Sequence, residues 1–328
     1  MGKIRFGIVG TNFVSDWMCD ALKTCDGVEI SSVFSRTLDT GRAFSEKHGI
    51  KEYFTDFDVF LERCDAVYIA SPNFCHATQT AASLDKGKHV LVEKCAVASA
   101  HQWKSLVDKA KEKKLVLMEA MRPVHDPKLE KVREYIGKIG QIRRASFEFC
   151  QYSSRYDDFR RGIIQNAFRP EYSNAAVMDL GCYAIATCIS LFGAPNSIKS
   201  QSVCLSNGFE GAGNVILSYE SMSALISYSK IFNSFNPSVI LGEDGCVTLE
   251  KLSTLPVVSL KSRMGEEAFS EGEENNMVYI VRDFLKCVEK PALADPFCDI
   301  TFKTVSVIDE IRRQNGIVFP EDVELING

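Results

Sequence analysis

The stretch FGIVGTNFVS, residues 6–15, decides how this chain is read. An apolar run from Ile4 to Val9 ends on Gly10, and a dinucleotide fingerprint G-x-G-x-x-G begun there would place its other glycines at positions 12 and 15. Asn12 and Ser15 stand in those places. A turn from a buried strand into a helix needs a residue that tolerates unusual backbone angles, with little side chain where a pyrophosphate approaches the helix amides. Asparagine enters the left-handed region more readily than other non-glycine residues, and serine is small enough for close packing of helix on strand. The same letters also describe an ordinary turn whose helix is capped by Thr11 or Asn12, so the stretch by itself leaves both readings open.

Working outward, the runs IRFGIVG, EISSVFS, AVYIAS, HVLVEK and LVLMEA alternate with amphipathic segments up to about residue 120. Runs apolar on both faces and joined by helices predict a parallel sheet covered on both sides, a doubly wound α/β domain whose ligand edge lies at the carboxyl ends of its strands. After HDPKLEKVREYIGKIG, a helix closed by glycine, the rhythm changes to longer alternating segments: QIRRASFEFCQY, NVILSYE, SALISYSKIF and GCVTLEKL. Period-two alternation with turns such as EDG predicts a largely antiparallel sheet with one covered face. A final helix spans about Phe297 to Gln314, and the boundary between the halves falls near Arg122 and Pro123 as a tight hinge.

The 328 residues suffice for two domains with their own cores. With 38 basic against 43 acidic side chains and a formal charge of -5, nothing suggests a surface for nucleic acid or anionic lipid. No leader precedes the first strand and no stretch approaches the ~18 apolar residues of a membrane span, which predicts a cytoplasmic protein without a membrane partner. The 12 cysteines are scattered without a C-x-x-C pair, as buried reduced thiols would be. No clustered ligand set points to a metal.

A second test of the first turn lies at the end of the next strand, where an acid would bind an adenosine ribose and a small polar residue with arginine would accept a 2′-phosphate. The chain reads VFSRTLDT, so Ser35 and Arg36 favour NADP over NAD; Asp39 is the first acid and reads equally well as a helix cap. A third sign is YIASPNFCHATQTAASLDKGKHVLVEK, residues 68–94, in which Ser71, Pro72 and Asn73 follow one strand, His76 lies in the helix after them, and Glu93 and Lys94 end the next strand. These groups fall along the ligand edge.

At this point the chain resembles the Gfo/Idh/MocA oxidoreductases, whose T/S-P-N-x-x-H segment is followed by E-K-P. The resemblance extends along essentially the whole chain through MEAMRPVHDP, MDLGCY and GEDG. It implies a Rossmann domain over 1–121 and a substrate-binding and oligomerisation α/β domain over 122–328. It further implies an enzyme that transfers hydride between NADP, or NAD, and a secondary alcohol or ketone of a sugar, cyclitol or dihydrodiol-like small molecule. Gly10, Thr11, Asn12, Phe13, Ser35, Arg36, Ser71, Pro72, Asn73, His76, Glu93 and Lys94 then form the cofactor side, with Glu93 on the nicotinamide ribose. Lys94 would stand beside the reacting carbon, where a fixed ammonium stabilises charge developing on oxygen.

Many relatives have histidine where this chain has Tyr183, and the tyrosine version is similar to the dimeric dihydrodiol dehydrogenase and xylose dehydrogenase branch. That likeness makes Tyr183 the proton donor and acceptor, its phenolate favoured by Lys94. Asp179 orients this pair or binds a substrate hydroxyl. Arg122, His125 and the segment SSRYDDFRRGIIQNAFRP are candidate substrate-rim residues, and Cys95 departs from the family proline, which leaves the orientation of Lys94 open. Alternatives are a glycosidase of the same family that retains its dinucleotide, and a cofactor-binding sensor without catalysis. The second sheet, with Val215, Leu217, Tyr219, Leu225 and Ile231, is expected to leave an apolar face that pairs with its own copy in a homodimer or a higher oligomer.

Overall fold

Six parallel strands build the nucleotide sheet: β1 (Ile4–Val9), β2 (Val28–Phe34), β3 (Glu52–Phe54), β4 (Ala66–Ile69), β5 (His89–Val92) and β6 (Leu117–Glu119). Their order is β3-β2-β1-β4-β5-β6, so the strand order reverses between β1 and β4, the point where doubly wound sheets bind ligands. Phe6, Ile8, Val67, Ile69, Val90 and Val92 are fully buried, as strands covered on both faces require. The flanking helices include α1 (Phe13–Lys23), α2 (Leu38–His48), α3 (Phe57–Leu61), α4 (Asn73–Asp85) and α5 (Ala100–Glu112), and along the chain follow α6 (Arg122–His125), α7 (Lys128–Ile136) and α8 (Tyr156–Arg160).

Residues 3–322 are described in this computed structural model. The chain forms two units. The first holds the chain through Val97, His101–Arg122 and Glu273–Thr301; the second holds Ala98–Ala100, Pro123–Gly272 and the chain from Phe302 onward. A single cut after residue 121 therefore differs from the observed division. The cause is packing: α10 (Met277–Glu289) brings Phe284 to 5.5 Å from Phe6 between ring centroids, and the Trp103 indole donates to the Cys298 carbonyl at 2.9 Å. Cys298 lies in the last helix, α11 (Asp295–Asn315).

The second unit is built on eight strands, the last three being β12 (Gly245–Leu249), β13 (Val258–Ser262) and β14 (Gly265–Phe269), in the order β14-β13-β12-β11-β7-β10-β9-β8. The central ones are β7 (Ile142–Cys150), β8 (Ser197–Cys204), β9 (Glu210–Ser218), β10 (Ser223–Ser229) and β11 (Ser238–Gly242). All neighbours run antiparallel except β7 and β10, which are parallel. The helix α9 (Cys182–Phe192) covers one face.

Two expectations are corrected here. Val215 and Leu217 are buried at 1% and 0% exposure, paired with Ile226 and Ala224 on the covered face. The open face carries Arg144, Ser146, Glu148, Asn214, Ile216, Leu225 and Ser227, a mixed rather than an apolar surface. Second, Pro170–Phe192 is long and apolar enough to cross a membrane by length and composition, where no such run was expected. It serves as a core helix instead: 78% of its apolar window is buried inside the fold.

Candidate active site

The turn after β1 is shaped by Gly10 and Asn12. Gly10 has φ +99°, and a Cβ there would lie 2.7 Å from the Ala70 carbonyl oxygen, so no side chain fits. Asn12 has φ -91° and ψ 175°, an extended conformation, so its tolerance of left-handed angles is not used. Its side-chain oxygen accepts from the Val14 and Ser15 amides at 2.9 and 3.1 Å, capping α1, while its amide nitrogen donates to Ala70 O at 2.7 Å. The residue in the second-glycine position thus staples the turn to the end of β4.

A cavity of about 580 Å³ opens at the carboxyl ends of β1, β2 and β4, within the range of small-molecule sites. It brings together Gly10, Thr11, Asn12, Ser35, Arg36, Ser71 and Pro72 from the sequence reading, and adds Thr37, Thr40, Cys75 and Gln79. Ser35 Oγ lies 2.5 Å from Thr40 Oγ1, which lies 2.7 Å from Thr37 Oγ1; Thr37, not Asp39, caps α2. Three hydroxyls and a guanidinium at a helix N-terminus suit a phosphate. A glycine that admits close backbone approach, a helix N-terminus beside it and this donor set fit the adenosine end of a dinucleotide phosphate.

Phe13, Asn73, His76, Glu93 and Lys94 do not line that cavity. Phe13 opens α1 at 59% exposure, edge-on to Trp17. Asn73 is the first residue of α4. His76 is buried between two carbonyl oxygens, Nε2 2.8 Å from Ser71 O and Nδ1 3.0 Å from Cys95 O, and burial pushes its pKa down. Glu93 is also buried: it accepts from the Tyr68 hydroxyl at 2.5 Å and from the Lys94 amide at 3.2 Å, and burial pushes its carboxyl up. Lys94 is half-buried at the exit of β5, the Lys94–Cys95 peptide is cis, and the Cys95 side chain is packed at 1% exposure. Arg122 Nε donates to Asn276 Oδ1 at 2.6 Å, with its guanidinium 5.5 Å from the Trp17 ring centroid.

In the second unit, a π-helical turn, Val177–Gly181, leads directly into α9, which places Asp179 and Tyr183 on successive turns. A Cβ at Gly181 would strike the Tyr228 ring at 2.9 Å, so glycine permits the turn to lie against β10. Tyr183 packs edge-on against Phe149, centroids 5.2 Å apart. Lys230, which the sequence reading did not single out, reaches Asp179 Oδ2 at 2.6 Å. Glu210 is a second such residue: buried, it accepts from the Val177 amide at 2.8 Å, the Tyr228 hydroxyl at 2.7 Å and the Ser202 hydroxyl at 3.0 Å, and burial raises its pKa to about 7. His125 is buried, and in the arginine-rich segment Tyr156, Phe159 and Phe168 stack on one another. Among the described residues no group of three or more His, Cys, Asp or Glu side chains could hold a metal ion.

Residues 4–121 match the oxidoreductase family with an NAD-binding Rossmann fold, and residues 130–248 match the GFO/IDH/MocA C-terminal domain. Over 97% of its length the chain is 36% identical to the NADP(+) scyllo-inositol 2-dehydrogenase of Bacillus subtilis, covering 99% of that protein. It is 23% identical to the trans-1,2-dihydrobenzene-1,2-diol dehydrogenase of Xenopus laevis, with 96% of this chain and 99% of that one aligned. These values do not single out the dihydrodiol and xylose branch that Tyr183 suggests. In structure, a 3-ketoreductase from Actinomadura kijaniata, solved with NADP and TDP-benzene, superposes with a TM-score of 0.85 at 23% identity, covering 97% of this chain and 99% of that one.

Proposed function

This chain belongs to the Gfo/Idh/MocA family of NAD(P)-dependent oxidoreductases, and on that footing we propose that it moves hydride between NADP and a ring secondary alcohol or ketone of a cyclitol or sugar. The observation that carries the cofactor choice is the groove at the β1–β4 reversal, where Arg36 stands beside the Ser35, Thr37 and Thr40 hydroxyls and no acid ends β2. The inositol dehydrogenase at 36% identity supports the cyclitol class, and Tyr183 supports an affinity with the dihydrodiol and xylose dehydrogenases.

When bound, the nicotinamide supplies the hydride acceptor or donor. The residues of the chain then divide the remaining work. Gly10, Thr11 and Asn12, with Ser71 and Pro72, shape the floor and walls of the cofactor groove; Phe13 and Asn73 open the helices beside it, His76 braces the Ser71 and Cys95 backbone behind it, and Glu93 holds the strand exit that carries Lys94. The Lys94 ammonium stabilises negative charge on the substrate oxygen as it develops. Tyr183 Oη takes the proton from the alcohol or returns it to the alkoxide, and Asp179 accepts a hydrogen bond from a neighbouring substrate hydroxyl. We further assign the chain to a reducing, cytoplasmic setting, a reading supported by 12 free cysteines of which eight are buried, and to a homodimer paired through the open face of the second sheet.

The test is a titration with NADP and NAD, followed by a panel of cyclitols, sugars and polyols watched at the absorbance of reduced nicotinamide. Stoichiometric reduction of free NADP by a cyclitol or sugar is the expected result. A glycosidase that retains its dinucleotide would give hydrolysis without net cofactor turnover, and a sensor would bind cofactor without either.

A further inference from the structure

Glu119 is a carboxylate at the end of β6 with 3% exposure, and it does not line the groove. Its two oxygens have separate partners: Oε1 accepts from the Ala96 amide at 2.9 Å, and Oε2 accepts from the Thr301 hydroxyl of α11 at 3.0 Å. The Ala96 N–H belongs to the same peptide group as the Cys95 carbonyl, and that carbonyl faces His76 Nδ1 at 3.0 Å. One peptide unit, the second after Lys94, is therefore held at its nitrogen by Glu119, with its oxygen set against His76 Nδ1. On the other side of Lys94, the Glu93 amide donates to Ile69 O at 2.8 Å and the Lys94 amide to Glu93 Oε2. The backbone that carries the Lys94 side chain is thus tied to three neighbouring elements, β4, α4 and β6.

A buried acid is costly where a hydrophobic residue would fill the same space, so its retention calls for a task. We propose that Glu119 is a positioning residue, which fixes the Lys94 ammonium for oxyanion stabilisation by holding the Cys95–Ala96 peptide from the β6 side. This inference rests on the reading of Lys94 as the oxyanion-stabilising group. Burial, with the Glu93 charge adding to it and Lys94 opposing, raises the Glu119 pKa to about 7. The grip survives either protonation state, because the Thr301 hydroxyl accepts as readily as it donates. Glutamine therefore mimics the residue: its oxygen takes the Ala96 amide and its NH₂ group donates to Thr301.

The experiment compares Glu119→Ala, Glu119→Gln, Thr301→Val and Lys94→Ala in the full chain, measuring kcat with saturating substrate and the Kd for NADPH by nucleotide fluorescence. A displaced catalytic group costs turnover and leaves cofactor binding alone, so Glu119→Ala is expected to lose roughly tenfold or more in kcat with Kd within about threefold. Glu119→Gln should restore kcat to within about threefold. Thr301→Val, which keeps the carboxylate and removes one of its partners, should show a smaller loss of the same kind and serves if the alanine variant does not fold. Unchanged kcat in folded Glu119→Ala or Thr301→Val overturns the proposal, as does a parallel loss of NADPH affinity, which would mark a general structural role. If Lys94→Ala keeps full turnover, the reading of Lys94 fails and the inference with it; if Lys94→Ala is inactive while the other variants match the unmodified chain, the inference about Glu119 fails alone.

Discussion

Lys230 Nζ lies 2.6 Å from Asp179 Oδ2, the lysine side chain at 8% exposure and the aspartate at 41%. The asymmetry decides what the pair does. The ammonium is walled in by the Phe168 and Phe209 rings at 5.4 and 5.8 Å, so it cannot swing to water, and the partly open carboxylate is the member that can meet a solute. A buried cation then fixes one oxygen of Asp179.

Lys230→Met should therefore lower kcat/KM for substrate by about tenfold, because Asp179 loses its fixed orientation, while NADP affinity is unchanged. Lys230→Arg should recover part of that loss. Steady-state kinetics with cofactor and substrate varied separately checks it, and unchanged kcat/KM in the methionine variant would count against a role for Asp179 in substrate binding.

Arg36→Ala is expected to raise the KM for NADP by roughly 10- to 100-fold, the value of a charge-assisted contact to phosphate, and to leave that for NAD nearly unchanged. Equal losses with both cofactors would show that the guanidinium does not meet the 2′-phosphate.

Lys94→Ala should reduce kcat on the order of a hundredfold or more while NADPH binding stays within a few-fold, since an oxyanion-stabilising charge matters when the oxyanion forms. Stopped-flow measurement of the hydride step separates this from an effect on product release.

Much of this architecture could be read from the chain because it is local. The apolar run into Gly10, the polar ends of β2 and β4, and the change of rhythm after residue 140 are each written within a few residues. What stayed hidden depends on partners far along the chain. Lys230 meets Asp179 across 51 positions, and Glu119 meets Thr301 across 182; no periodicity encodes such pairs. Alternation in NVILSYE marks two faces but not which one a helix covers, so Val215 and Leu217 read as exposed when they are core. Asn12 was legible both as a tolerated replacement for glycine and as one of two candidate caps of the next helix; its side-chain cap, rather than its backbone angles, explains it.

Stability should depend on pH through the buried acids. Burial raises the Glu210 pKa to about 7 from its ordinary value of 4.5, so between those values the folded chain holds a proton that the unfolded chain has released. Stability is then greatest below the unfolded value and falls as pH rises toward 7, by up to about 3 kcal/mol. Glu119 acts in the same direction. Glu210→Gln keeps an acceptor for the Val177 amide and removes the titration, so its urea midpoint should decline less between pH 5 and pH 8 than that of the unmodified chain. An equal decline would assign the dependence to other groups.

The open face of the second sheet gives the last prediction. On it Leu225 pairs with Ile216 across the β9–β10 ladder and with Ser146 across β7, while Arg144 and Glu148 lie at neighbouring positions along β7. Ile216 is 45% exposed. A two-fold contact sets a patch against its own copy, so a face with an apolar centre and both signs of charge can complement itself: each Arg144 can find the partner's acid while the aliphatic side chains bury one another. Light scattering at micromolar concentration should give about twice the chain mass of 36.5 kDa. Ile216→Arg, whose side chain points away from the core and so leaves the fold intact, should place like charges across the two-fold axis and shift the population toward the single chain. A particle of 36.5 kDa from the unmodified protein would rule out the pairing.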